Sequence, residues 1–171
     1  LFTGGVSDRL VLAIENTFII ALTAAVVSTL LGTVAAIGIN DLRYRKRRVV
    51  NFVNNIPILN PDIITGISLF LLFVSLGITQ GYTTVILAHI AFCTPYVVLS
   101  IMPRLTQMNP NIYEAALDLG CTPIESFFRV ELPFILPGIL SGLVMAFTLS
   151  LDDFVISYFT TEGDFQTLPI Y

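Results

Sequence analysis

The sequence predicts an all-α protein that lies in a membrane as a polytopic bundle of transmembrane helices. Of its 171 residues, 55% are hydrophobic and only 12% are charged, whereas soluble domains carry about 25% charged residues. The mean hydropathy is +0.86, and the apolar residues are gathered in long runs. Nucleic-acid binding has no support in a chain of this composition and a net charge of -4.

Four segments are long and apolar enough, or nearly so, for a helix that crosses a bilayer in roughly 20 residues. These segments are 17–39, 56–78, 83–102 and 135–158. The apolar run of the second, 63–78, is short, and the two Pro and three Asn of residues 54–61 predict a broken or interfacial entrance to it. Residues 1–171 are interpreted as a single transmembrane domain. Because the chain ends without a polar tail, we expect a piece of a longer protein with outer spans missing.

The basic residues predict the orientation of the bundle. Residues 43–48 read RYRKRR and follow the first span, while Arg104 and Arg129 follow the third. Since Lys and Arg in short loops favour the cytoplasmic side, both loops are predicted to face the cytoplasm. The segments predicted on the opposite side are 1–12, 77–84 and 161–171. The RYRKRR cluster could additionally bind anionic lipid, which is compatible with the same orientation.

Small residues recur at every fourth position on the first and last predicted spans. They are Ala24, Ser28, Gly32 and Ala36 on the first, and Gly138, Gly142, Ala146 and Ser150 on the last. Lipid provides little hydrophobic drive between helices, so close backbone approach along such stripes is a common means of association. We therefore expect a compact bundle, although small residues are also frequent in membrane helices generally.

The polar segment 103–134 is predicted to be a cytoplasmic loop that contains two short helices. Asn109 can cap the first helix, a proline follows it, and Gly120 stands just past the helix end. Glu114 and Asp118 lie four residues apart, where like charges repel by roughly a few tenths of a kcal/mol unless a cation lies opposite. This spacing indicates a partner surface, and a solvated acidic face is the alternative.

The second short helix of this loop has its own start and stop signals. Thr122 can cap it, and Glu125 completes a Thr-x-x-Glu capping box. Pro133 is expected to stop this helix before the last span begins.

Within the loop, residues 114–120 read Glu-Ala-Ala-x-x-x-Gly, and residues 130–133 read Val-Glu-Leu-Pro. This pattern resembles the EAA loop of ABC importer permease subunits, the MetI-like family, with Val130 where that family often has Ile. The resemblance extends over nearly the whole chain and is strongest to spermidine/putrescine permeases. Further segments that carry it are NPDIITGISLFLLF at 60–73, AHIAFCTPYVV at 88–98 and FTLSLDDFVISYFTT at 147–161.

The resemblance implies that the loop forms a coupling helix, which docks into a cleft of a separate ATP-hydrolysing subunit. The residues assigned to this coupling surface are Glu114, Ala115, Ala116, Asp118 and Gly120. ABC ATPase subunits, a second permease subunit and an external substrate-binding protein are the implied partners, in the lipid of the bacterial plasma (inner) membrane. Measured against that family, we expect the first and last transmembrane helices to be missing from this chain.

The chain itself is not expected to be an enzyme or to hold a cofactor. A P-loop needs a Gly-Lys-Ser/Thr cradle for phosphates, and the only lysine, Lys46, lies in RYRKRR. Cys93 and Cys121 are interpreted as ordinary thiols, and a single histidine, His89, excludes a multi-histidine metal site. We expect His89 to form an interior hydrogen bond, with a position on a transport pathway as the alternative.

Acidic and aromatic residues of the spans are the candidates for a substrate pathway. Asp152 and Asp153 lie near the outer end of the last span, where carboxylates are costly unless they face a wet cavity or a cation. Asp153 lies nearer the small-residue stripe, which makes Asp152 the better pathway candidate. Asp62 could provide a second station, and Tyr158 with two neighbouring Phe could form cation–π contacts with an amine.

These residues favour a linear polycation, spermidine or putrescine, as the cargo of an ATP-driven importer. In the alternative interpretation the acids cap helix ends or bond to neighbouring helices. A permease for ferric iron or an oxyanion is the second functional hypothesis, because such relatives have much of the same framework. A membrane scaffold or sensor that only docks a cytoplasmic partner is a third.

Overall fold

The computed structural model describes residues 3–161 and 167–168, with side chains described from residue 10 onward except at residue 110. The described chain forms eight α-helices, with a π-helical turn at Phe127–Glu131, and contains no strand, which confirms the predicted all-α class. The helices are α1 Thr3–Asn40, α2 Tyr44–Leu59, α3 Asp62–Ser75, α4 Tyr82–Gln107, α5 Pro110–Asp118, α6 Pro123–Ser126, α7 Leu132–Asp152 and α8 Val155–Thr160. Residues 162–166 and 169–171, part of the C-terminal stretch predicted on the outer side, lie outside the described residues.

Three helical runs are long and apolar enough to cross a membrane: Leu10–Asn40, Tyr82–Gln107 and Pro123–Asp152. Helices α2 and α3 pass the same test only as a pair, and their axes differ by 103° at the break between them. The break falls at Asn60 and Pro61, inside the stretch whose prolines and asparagines predict a broken entrance. The described chain therefore has three candidate spans, or four if the bent pair is one, by length and composition.

The core is formed by α1, α4 and α7, which pack on one another in pairs. All eight residues of the two predicted small-residue stripes are buried, which confirms the expected packing. Val97 of α4 lies between the stripes. A Cβ atom added to Gly32 would lie 2.7 Å from Val97 Cγ1, and one added to Gly142 would lie 3.1 Å from the same atom. The glycines therefore allow α1 and α7 to approach α4 closely.

Replacing Gly32 by Ala is expected to lower the stability of the bundle by about 1–3 kcal/mol, because overpacked cores must shift their backbone or side chains. The matched control is Gly38→Ala on the same helix, where an added Cβ meets nothing within 4 Å. Thermal unfolding of the purified protein in detergent, followed by circular dichroism, measures both variants. Equal unfolding midpoints for the two would contradict the close packing of α1 on α4.

Several helix boundaries differ from those expected from the sequence. Helix α1 begins at Thr3 and not near residue 17, and α4 continues to Gln107 and does not end near residue 102. The last span was expected to run unbroken over 135–158, but α7 ends at Asp152 and α8 begins at Val155. The cause is Asp153, whose backbone is extended at φ -76° and ψ 111°. Its carboxylate accepts hydrogen bonds from the backbone N–H groups at the start of α8, and such local bonds compete with helix continuation.

Pro133 does not stop the second short helix of the loop, contrary to expectation. The π-helical turn Phe127–Glu131 joins α6 directly to α7, and the Leu132 N–H donates to the Phe127 carbonyl in the wider π pattern. Pro133 lies in the first turn of α7, directly after the π-helical turn. At that position neither its lack of a backbone N–H nor its ring disrupts a regular α-helical turn.

Candidate functional site

Helix α5, which contains the EAA pattern, is capped at both ends, as the sequence predicts. The Asn109 side chain accepts a hydrogen bond from the Asn111 N–H at 3.0 Å. At the other end, Gly120 N–H donates to the Leu117 carbonyl at 2.9 Å and Cys121 N–H donates to the Ala116 carbonyl at 3.1 Å. This pair of bonds is a Schellman motif, and it requires Gly120 to adopt a left-handed φ of +90°. The helix is therefore a short unit with fixed ends.

The start of α6 is fixed by the predicted capping box. Thr122 Oγ1 accepts a hydrogen bond from the Glu125 N–H at 3.3 Å, and Glu125 Oε2 accepts one from the Thr122 N–H at 2.9 Å. Arg129 lies 4.0 Å from Glu125, one turn further along. These contacts set the direction in which the chain leaves α5 and enters the helical run toward α7.

The surface of residues 114–133, the EAA segment, is both acidic and apolar. Glu114, Ala115 and Asp118 are exposed, while Ala116 is buried. Three large apolar side chains of the same segment are also exposed: Leu119 by 86%, Ile124 by 71% and Phe128 by 58%. A surface of this kind, with carboxylates beside large apolar groups, suits a protein partner better than water.

A second site is a cleft of about 240 Å³ at the junction of α3, α4, α7 and α8. It is lined by Asp62, Phe92, Thr148, Leu149, Asp152, Asp153, Phe154 and Val155. The fold thus brings Asp62, from the start of α3, to the same cleft as the Asp152–Asp153 pair. Since all three of its ionisable lining residues are carboxylic acids, the cleft suits a cation.

The two adjacent acids have different surroundings. Asp152 is exposed at the cleft, whereas Asp153 is only 8% exposed. The Asp153 carboxylate accepts hydrogen bonds from the N–H groups of Ser157 at 3.0 Å and Ile156 at 3.4 Å. It therefore caps α8, in agreement with the alternative interpretation of the acids, while part of it still lines the cleft.

His89 connects α4 to this junction through an interior hydrogen-bond network, as predicted. Its Nδ1 lies 2.8 Å from Ser150 Oγ on α7, and its Nε2 lies 3.1 Å from Ser157 Oγ on α8. The same Nε2 lies 3.6 Å from Asp153 Oδ2. A second link joins α4 to α8, because Thr84 Oγ1 donates to the Thr160 carbonyl at 3.0 Å. These contacts hold the break between α7 and α8 in place.

The predicted aromatic group is present, but only one member reaches the cleft. Tyr158 stacks on Phe154, with ring centroids 5.6 Å apart, and meets Phe159 edge-on at 5.5 Å. Phe154 lines the cleft, whereas Tyr158 is exposed beside it. Tyr158 therefore supports the position of Phe154 from the side.

Sequence reasoning missed several residues of this region, among them Phe92 in the cleft wall and Ser157 in the network. Spacing carries a signal for both, because Phe92 follows His89 by three residues and Ser157 follows Asp153 by four, as helical neighbours do. This spacing identifies Phe92 and Ser157 as residues of the site only once α4 is known to pack beside α8, and the sequence alone does not show that packing.

The sequence of residues 28–171 matches the protein family described as binding-protein-dependent transport system inner membrane component. The chain is 42% identical over 170 residues to the putrescine transport system permease protein PotI of Escherichia coli K12, covering 95% of this chain and 60% of that protein. It is 36% identical over 164 residues to the spermidine/putrescine transport system permease protein PotC of Haemophilus influenzae, covering 96% and 64%. The Escherichia coli K12 protein of the latter name is 34% identical over 164 residues, covering 96% and 62%.

The chain spans between 60% and 64% of the length of these three relatives. The match covers α1 from residue 28, the other apolar helices, the EAA segment and the acidic cleft, and it confirms the resemblance drawn from the sequence motifs. The chain belongs to the family of binding-protein-dependent transport system inner membrane components.

Proposed function

We propose that the chain is a permease subunit of an ATP-driven importer that moves polyamines across the bacterial inner membrane. The observation that carries this proposal is the acidic cleft of about 240 Å³, in a chain 42% identical to a protein named as a putrescine permease. A protonated polyamine is a chain of ammonium groups separated by methylenes, and a cleft that offers carboxylates and aromatic rings recognises both parts.

The cleft residues have distinct roles in this proposal. Asp152 and Asp62 attract the ammonium groups, because both are exposed and approach the cleft from different helices. Phe92 and Phe154 contact the methylene groups or place a ring face beside an ammonium. Asp153 shapes the cleft by fixing the start of α8, with Tyr158 supporting Phe154.

Coupling to ATP is assigned to the EAA segment. Because its helix is short and capped at both ends, α5 can transmit a displacement as a rigid body. Glu114, Ala115, Asp118 and the exposed Leu119 form the surface that contacts a separate ATPase, while Ala116 and Gly120 set the shape of that surface. Closure of two such ATPases around ATP would then rock the bundle between inward and outward openings.

The remaining parts of the importer are a second permease subunit and an external substrate-binding protein. In this proposal the second permease packs against the face of this chain on which the cleft opens, so that the substrate pathway lies between the two helix bundles. The binding protein delivers the polyamine at the outer side, where segment 77–84 and the end of the last predicted span lie in the predicted topology.

The test is uptake by the complete importer, built from the full-length protein, its partner permease, its ATPase and its binding protein in proteoliposomes. We expect ATP-dependent uptake of labelled putrescine or spermidine, and background levels of sulfate and ferric iron. A complex with a hydrolysis-deficient ATPase is the control for leakage. Uptake of sulfate or ferric iron in place of polyamine would refute the proposed cargo, and assembly with the ATPase without any uptake would favour a scaffold.

A further inference from the structure

The first turns of α2 and the residue just before it have a high density of unpaired positive charge. Five cations lie within six positions: Arg43, Arg45, Lys46, Arg47 and Arg48. Within the described part of the chain, none of them lies within 4.0 Å of a carboxylate, and the ion pairs present involve other residues. Helix α2 as a whole has no buried residue. The positive charge is therefore available to a ligand outside this chain.

Two clefts lie beside this cluster, and they differ in character. One, of about 350 Å³, is lined by Tyr44, Arg47, Arg48 and Asn51, all of which can donate hydrogen bonds. The other, of about 450 Å³, is lined by Leu42, Arg45, Lys46, Val49 and Val50. The second cleft combines two cations with an apolar wall, which suits an amphiphile whose head is anionic.

One contact between α2 and the bundle gives a reference point for the depth of these groups. Asn54 Nδ2 donates to the Pro95 carbonyl at 3.3 Å, and Pro95 lies midway along α4. Lys46 precedes Asn54 by eight residues, or about 12 Å of helix, against a hydrocarbon half-thickness of about 15 Å. With Asn54 near the middle of the bilayer and α2 running along the membrane normal toward the predicted cytoplasmic side, the cations would lie near the edge of the hydrocarbon layer.

Apolar side chains follow the cations along α2 toward the bundle centre. Phe52 is 69% exposed, and Val49, Val53 and Ile56 are exposed as well. A free anion such as phosphate would use the charges and leave this apolar surface in water. An acidic protein segment would likewise leave the apolar residues at acyl depth uncovered. The combination matches one molecule whose head group and acyl chain lie at these two depths.

We propose that the start of α2 binds an anionic phospholipid of the cytoplasmic leaflet. Its phosphate lies between Arg45 and Lys46, and an acyl chain runs past Val49 toward Phe52. A lipid at this position also contacts Leu42, in the short link between α1 and α2. The site is separate from the acidic cleft and does not depend on which substrate is transported.

The experiment is native mass spectrometry of the complete, detergent-purified importer titrated with phosphatidylglycerol or with phosphatidylcholine. We expect wild-type complexes to retain phosphatidylglycerol preferentially. In the variant Arg45→Gln/Lys46→Gln, the preference for phosphatidylglycerol over phosphatidylcholine should fall at least about tenfold, because each basic residue near an anionic surface strengthens binding several-fold. The charge-conserving variant Arg45→Lys/Lys46→Arg should keep it. Arg129→Gln, which removes an exposed cation on another helix, should also keep it.

Three results would overturn the proposal. Equal retention of the two lipids by the wild-type complex would show that no anionic lipid is selected, as expected if another subunit covers α2. An unchanged preference in the Arg45→Gln/Lys46→Gln complex would place the lipid elsewhere. Displacement of phosphatidylglycerol by millimolar glycerol phosphate would show that the cluster binds a free anion, without a role for the acyl chain.

Discussion

Replacing Gly120 by Val is expected to reduce ATP-driven uptake by the assembled importer at least tenfold while the helix bundle still folds. Gly120 has a φ of +90°, and an added Cβ would meet nothing within 4 Å, so the effect arises from the backbone alone. A β-branched residue in this conformation costs on the order of 1–3 kcal/mol. The strain is relieved if the Schellman bonds from Gly120 and Cys121 break, which changes how the chain leaves α5.

The measurements for Gly120→Val are polyamine uptake in proteoliposomes and co-purification of the ATPase with the permease. Gly77→Val is the matched control, because Gly77 also has a positive φ, +68°, with nothing within 4 Å of an added Cβ. It lies after α3, on the side opposite the predicted ATPase surface. Normal ATPase binding and wild-type uptake by Gly120→Val would remove α5 from the coupling path. Equal losses in both variants would attribute the effect to general instability.

The ends of α5 and α6 could be predicted from the sequence because their signals are local. Asn109, Gly120, and the Thr122–Glu125 pair each act over two to five residues, and the hydrogen bonds that they form in the structure are those that the motifs predict. The small-residue stripes were predictable for a related reason, since a repeat of four residues defines one face of a helix.

The junction of α7 and α8 could not be predicted in the same way. Asp153 follows a run of apolar residues whose composition favours a continuous span, and its capping role depends on backbone N–H groups that become free only once the helix breaks. His89 joins this junction across 61 to 68 residues of sequence, to Ser150 and Ser157. Such a contact depends on how α4 packs against α7 and α8, which a single sequence leaves open.

The difference between Asp152 and Asp153 leads to opposite expectations for two otherwise identical substitutions. Asp152→Asn removes an exposed charge at the cleft without removing a hydrogen bond within the described chain. We expect polyamine uptake to fall by roughly tenfold, which corresponds to about 1.4 kcal/mol, and the unfolding temperature to stay unchanged. The measurements are concentration-dependent uptake in proteoliposomes and thermal unfolding of the purified complex.

Asp153→Asn replaces one of two carboxylate oxygens with an amide that cannot accept from a backbone N–H. Because Ile156 and Ser157 both donate to this carboxylate, one donor is left unsatisfied in a buried site, at a cost of about 1–3 kcal/mol. We therefore expect Asp153→Asn to lower the unfolding temperature, and to lower uptake only in proportion to the complex that is lost. A stable Asp153→Asn complex with uptake reduced as far as in Asp152→Asn would instead make Asp153 a direct ligand of the cargo. Normal uptake by Asp152→Asn would remove that carboxylate from the pathway.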